Sequence, residues 1–140
     1  MSGFTNKRWF VSTDPYGVSW NGSLGVPTKD ALYDKIETIA LAWSVVATNT
    51  NAANNNGYLV DCSAASRTIT LPATPTVGHV VRVVDHTKSC ASFNIVIARN
   101  GEKIDNVAED LRFTVNGASI ELVYSGSTRG WIITSLTATV

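Results

Sequence analysis

Apolar and polar residues alternate with two different periods along this chain, and the change between them divides it. Between Pro27 and Ala47 the apolar positions Leu32, Ile36, Ile39 and Trp43 recur at steps of 4, 3 and 4. That spacing predicts a short helix with one narrow seam. Pro27 suits its first turn or the position just before it, Thr28 suits its N-cap, and Asp30 stands near the positive end of its dipole. From Tyr58 onward the period becomes two. Tyr58-Leu59-Val60, Arg67 to Leu71, His79 to Val84 and Phe93 to Ala98 read as strands. Glu102 to Ile104, Leu111 to Val115, Ser119 to Tyr124 and Trp131 to Thr134 continue the series. Asn100-Gly101 and Asn116-Gly117 occupy hairpin-turn positions between strands, and Ser125-Gly126-Ser127 with Gly130 closes a further turn. Short strands with turns at this spacing predict an antiparallel β-sandwich or jelly roll.

Four segments follow: an arm over 1–25, a helical stem over 26–47, a linker over 48–57 and a β-domain over 58–140. The arm holds one strand-like stretch, Arg8 to Ser12, and crowds Phe4, Trp9, Phe10, Tyr16 and Trp20 into few residues. So small a segment has no room to bury that many rings internally, so the arm docks on another protein or folds back on its own domain. The stem is too short to be stable alone in water. Isoleucine at both an a and a d position favours three strands over two, so Leu32, Ile36, Ile39 and Trp43 form a candidate trimer interface. A single helix laid on the β-domain gives the same pattern. The linker, TNTNAANNNG, is polar and Asn-rich.

Composition changes this picture little. Hydrophobic residues make up 44% of the 140 and charged residues 16%, enough for a packed core in one domain plus an appendage. Eleven basic and eleven acidic residues cancel, which is not the footprint of a nucleic-acid binder. No apolar run is long enough to insert in a membrane, and MSGFTNKRWF shows no signal-peptide pattern, so synthesis in a cytoplasm is expected.

The chemistry-bearing residues are sparse, and no enzyme, cofactor or metal is expected. His86 follows Asp85, with Ser89 and Cys90 just beyond, but nothing marks an oriented nucleophile or an oxyanion hole. Glu109-Asp110 sits in a turn rather than across a cleft. Asp105, Glu109 and Asp110 have oxygens for calcium without the spacing of a known loop. Cys62 and Cys90 fit no zinc pattern and read as two reduced thiols, with a Cys62–Cys90 disulfide as the alternative.

Two blocks carry a resemblance. The first is Gly17-Val18-Ser19-Trp20-Asn21-Gly22 with Val26-Pro27-Thr28-Lys29-Asp30-Ala31-Leu32-Tyr33-Asp34-Lys35-Ile36-Glu37. The second runs from Thr70-Leu71-Pro72-Ala73 and Val77-Gly78 through Val80 to Asp85, Arg99-Asn100-Gly101 and Ile104 to Glu109-Asp110-Leu111. It closes with Asn116-Gly117-Ala118-Ser119, Leu122-Val123-Tyr124 and Gly130-Trp131. Together, over roughly residues 17 to 135, they resemble modules of fibre and decoration proteins of tailed bacteriophages. The resemblance implies a trimerising helical stem carrying a small β-sandwich head on a virion surface. The partners it implies are two further copies of the chain and a capsid or tail protein gripped by the arm. No repeated shaft lies between arm and stem, which favours a compact head fibre or capsid decoration protein. A tail-fibre tip that binds a host-surface glycan is the rival, with Tyr58, Tyr124 and Trp131 as candidate stacking residues, although aromatics on strands more often belong to the core.

Overall fold

The computed structural model describes residues 41–137, which contain nine strands and no helix. They are β1 (Ala42–Val46), β2 (Thr50–Asn51), β3 (Asn56–Val60), β4 (Arg67–Thr70), β5 (Val80–Asp85), β6 (Ile95–Ala98), β7 (Leu111–Phe113), β8 (Ser119–Tyr124) and β9 (Trp131–Thr137). A larger sheet has the order β1-β3-β5-β8-β9 and a smaller one β2-β4-β6-β7. Up to β6 the chain changes sheet with every strand, so each strand lies beside the one two before it.

That winding corrects the expected antiparallel topology. Pairs β1–β3, β3–β5, β2–β4 and β4–β6 are parallel, and β5–β8, β6–β7 and β8–β9 are antiparallel. The side-chain period is two in either case, so alternation alone does not distinguish them. Asn100 and Gly101 do take positive φ, 51° and 95°, but Ile104 beyond them makes only isolated bridges, to Val107 and Trp131. Asn116-Gly117 turns the chain from β7 in one sheet to β8 in the other, a corner rather than a hairpin. The β8–β9 connection is the one expected turn that joins paired neighbours. It is closed by Gly130 N–H to Gly126 O at 2.7 Å and Ser125 N–H to Gly130 O at 2.9 Å.

Alternate residues of both sheets face one core. Val60, Val81, Val83, Ile120 and Leu122 of the larger sheet and Ile69, Ile95, Ile97 and Phe113 of the smaller are buried in one cluster with Trp131. Each fully buried aliphatic side chain contributes about 1.5–3 kcal/mol relative to exposure.

The β-domain also begins earlier than expected. Ala42–Val46 is a strand, so the stem predicted over 26–47 does not extend as helix through its last residues. The segment predicted as a linker supplies β2, the buried Ala52 and the start of β3. Parallel pairing with Arg67–Thr70 and Val80–Asp85 recruits these polar, Asn-rich residues, whose side chains say nothing of a strand. The arm, Leu32, Ile36 and Ile39 lie outside the described residues.

Candidate functional site: an exposed row across the larger sheet

Register partners line up Trp43, Gly57, Arg82, Glu121 and Ser135 across all five strands of the larger sheet. Their neighbours Val81 and Val83 are buried, so this row occupies the opposite, outward face. The next row on that face is Val45, Leu59, Val84 and Ser119. Trp43 is 47% exposed and Val45 62%. Arg82, Val84, Glu121 and Ser135 join Trp43 around a shallow cavity of about 380 Å³.

Two interactions order the row. The indole of Trp43 lies over Gly57, where an added Cβ would stand 2.5 Å from the ring. Glycine leaves room there for the aromatic face, which any larger residue would have to displace. Arg82 and Glu121 form an ion pair, and the Thr134 hydroxyl donates to the second Glu121 oxygen at 2.7 Å. The Thr134 hydrogen bond, aided by Arg82 and opposed by burial, holds the Glu121 carboxyl below its ordinary value.

β1 stands at the end of its sheet, and its sequence AWSVV has neither charge nor proline. Edge strands in soluble proteins are commonly protected by charge, proline or a cover. Among the described residues no strand pairs with the outer side of β1, and Trp43 and Val45 are exposed beside it.

A second cluster is buried. Asp85, 3% exposed at the end of β5, accepts backbone N–H groups from Gly117 at 2.9 Å, Cys90 at 3.2 Å and Ser89 at 3.3 Å. The Cys62 thiol approaches its Oδ1 at 3.5 Å and lies 3.8 Å from the Cys90 sulfur. Burial alone would raise the Asp85 pKa, but the N–H groups of Gly117, Cys90 and Ser89 outweigh it and hold the carboxyl below its ordinary value. Burial pushes both thiols up, Cys90 furthest, and the Asp85 charge adds to the rise. Among the described residues these three are the one group of close potential metal ligands. They offer three ligand atoms where a closed tetrahedral site takes four, and the carboxylate is already engaged by backbone donors. Asp85 reads as a structural staple that ties the loop after β5 to the turn before β8. The sequence alone places Asp85 beside His86, Ser89 and Cys90 without revealing this role. A carboxylate directly ending an apolar strand, with Gly117 elsewhere to receive it, is the faint signal.

The remaining candidates do not converge. Ser89 donates its hydroxyl to Thr87 O at 3.2 Å. Asp105 pairs with Arg129, while Asp110 accepts the Arg99 N–H at 3.0 Å. The candidate stacking aromatics Tyr58, Tyr124 and Trp131 are core residues, the commoner place of strand aromatics, and none is available to a glycan surface. Tyr124 and Trp131 pack edge to face with centroids 5.4 Å apart, and the Tyr58 hydroxyl accepts the Ala53 N–H at 2.7 Å. Of the candidate interface residues, Trp43 alone falls among the described residues, and it lies on the exposed row. No protein-family model matches the chain, and the curated proteins contain no match to it.

Proposed function

We propose that the chain is a non-enzymatic structural protein of a tailed bacteriophage particle: a homotrimeric capsid decoration or head fibre protein. Support comes from the Pro27-to-Glu37 motif and the turn-punctuated β block. The observation that supports the self-association is the β1 edge, unpaired among the described residues, with Trp43 and Val45 exposed in the last part of the predicted stem segment. The strand start at Ala42 limits the helical seam to Leu32, Ile36 and Ile39, with Trp43 contributing from the strand. Burying three such side chains per copy at about 1.5–3 kcal/mol each suffices to hold short helices together. Phe4, Trp9, Phe10, Tyr16 and Trp20 form the anchor to the particle.

Light scattering on the full chain tests the assembly. A trimer of the 15.0 kDa chain is expected, and Ile36→Asp combined with Ile39→Asp leaves monomers. A double variant that stays trimeric refutes the seam.

One observation favours a second reading, a glycan-binding tail-fibre tip. The exposed Trp43 ring stands beside the Arg82–Glu121 pair and Ser135, an aromatic platform flanked by hydrogen-bonding groups. Glycan-array binding lost in Trp43→Ala while trimers persist supports this second reading. Loss of trimers without any glycan binding supports the first.

A further inference from the structure

Cys62 lies just beyond β3 and Cys90 in the loop beyond β5, 28 positions later, and they are the two cysteines of the chain. Both are fully buried, with their sulfurs in contact at 3.8 Å. Forming a bond between them requires the sulfurs to close by about 1.8 Å. The Cys90 side is able to supply that movement. The ladders end at His86, whose N–H donates to Val60 O, and at Asn94, whose carbonyl accepts the Arg67 N–H. Between them residues 87–93 pair with no strand, Lys88 takes a φ of 53°, and the segment is held by Asp85, Asn94 and Asn116 side chains. Closure therefore shifts a loop and leaves the strand ladders in register.

We infer that Cys62 and Cys90 form a reversible oxidation site, a dithiol in reducing surroundings that becomes an intrachain disulfide when exposed to a low-molecular-weight disulfide such as glutathione disulfide. The inference goes beyond the proposed particle role and does not depend on it. One cysteine thiolate attacks a sulfur of glutathione disulfide, breaking its S–S bond, and a glutathione thiolate leaves and takes up a proton. The second cysteine, as thiolate, attacks the protein sulfur of that mixed disulfide and expels the other glutathione. Two cysteine thiols are oxidised, and one glutathione disulfide is reduced to two thiols. Burial keeps both thiols protonated, so exchange awaits opening of the loop and runs over minutes to hours.

The test equilibrates the full chain, native and urea-unfolded, in glutathione buffers of graded oxidised-to-reduced ratio, then quenches with an alkylating agent under denaturing conditions. Intact mass reports the state directly, because a single intrachain bond is possible. Native chains are expected to lose two hydrogens, escape alkylation and revert with dithiothreitol. A native fold that favours the bond also shifts half-oxidation to a lower ratio than in the unfolded chain. Native chains that oxidise only at a higher ratio than unfolded ones, or only to glutathione adducts or interchain species, overturn the inference. The reading uses the unsubstituted chain. Cys62→Ala and Cys90→Ala serve as controls that each abolish the two-hydrogen loss.

Discussion

The indole of Trp43 lies on Gly57, its register partner in the neighbouring strand, so closely that one methyl group on Gly57 would reach within 2.5 Å of the ring. This contact fixes the exposed ring against the larger sheet, beside the Arg82–Glu121 pair. Gly57→Ala is expected to displace the ring and cost about 1–2 kcal/mol, since the obstacle is a movable side chain. Trp43→Ala should relieve most of that cost. A double-mutant cycle in urea checks this, and purely additive effects contradict the contact.

Asp85 is expected to govern acid stability. Its folded-state pKa lies below the ordinary 3.8, so its stabilisation is fully present above that value. It is lost as the pH falls through the lower, folded value. Asp85→Asn turns two amide hydrogens into a site lined by Gly117, Cys90 and Ser89 N–H donors. It should cost about 3 kcal/mol at neutral pH, by analogy with removing charged hydrogen bonds. The gap between variant and parent should narrow as the pH drops below 3.8, measured by thermal unfolding. A constant gap contradicts the assignment.

Gly130 closes the β8–β9 turn at a φ of 79°, and a Cβ there would sit 2.1 Å from the Lys103 carbonyl oxygen. The obstacle is backbone, which cannot rotate away. Gly130→Ala should therefore destabilise by about 3 kcal/mol or more. An unchanged midpoint in urea would contradict the approach of these two segments.

Val45 separates the strand edge from the helical seam. Val45→Lys places a charge on the exposed side of β1, where edge strands commonly carry one. The β-domain should keep its stability to within about 0.5 kcal/mol while self-association weakens. Equal association of parent and variant in sedimentation would show that β1 takes no part.

How legible this was depended on the residue. Ser119 to Tyr124 alternates cleanly and appears as β8 with the expected bounds. Trp43 satisfied two periods at once: it completes a 4-3-4 helical seam and also alternates with Val45 in a strand. Tertiary pairing with Gly57 decides between them. Asn56 and Gly57 look like linker residues, and only the long-range ladders to β1 and β5 make them a central strand. The parallel winding was hidden because a strand presents the same alternation to either neighbour. Asp85 was hidden because its donors combine the following loop, at Ser89 and Cys90, with Gly117 of a distant turn that only the fold brings to it. The stem's Leu32, Ile36 and Ile39 rest on sequence pattern alone and lie outside the described residues.

The most direct measurement is localisation on the particle. On the proposed reading, an antibody against the β-domain, applied to phage particles recovered from lysates in which the chain is made and viewed by immunogold electron microscopy, labels the capsid surface at symmetry-related positions. Label confined to the tail tip would move the protein to the receptor-binding reading. Particles that carry no label, from lysates in which the chain is abundant, would contradict the virion role itself.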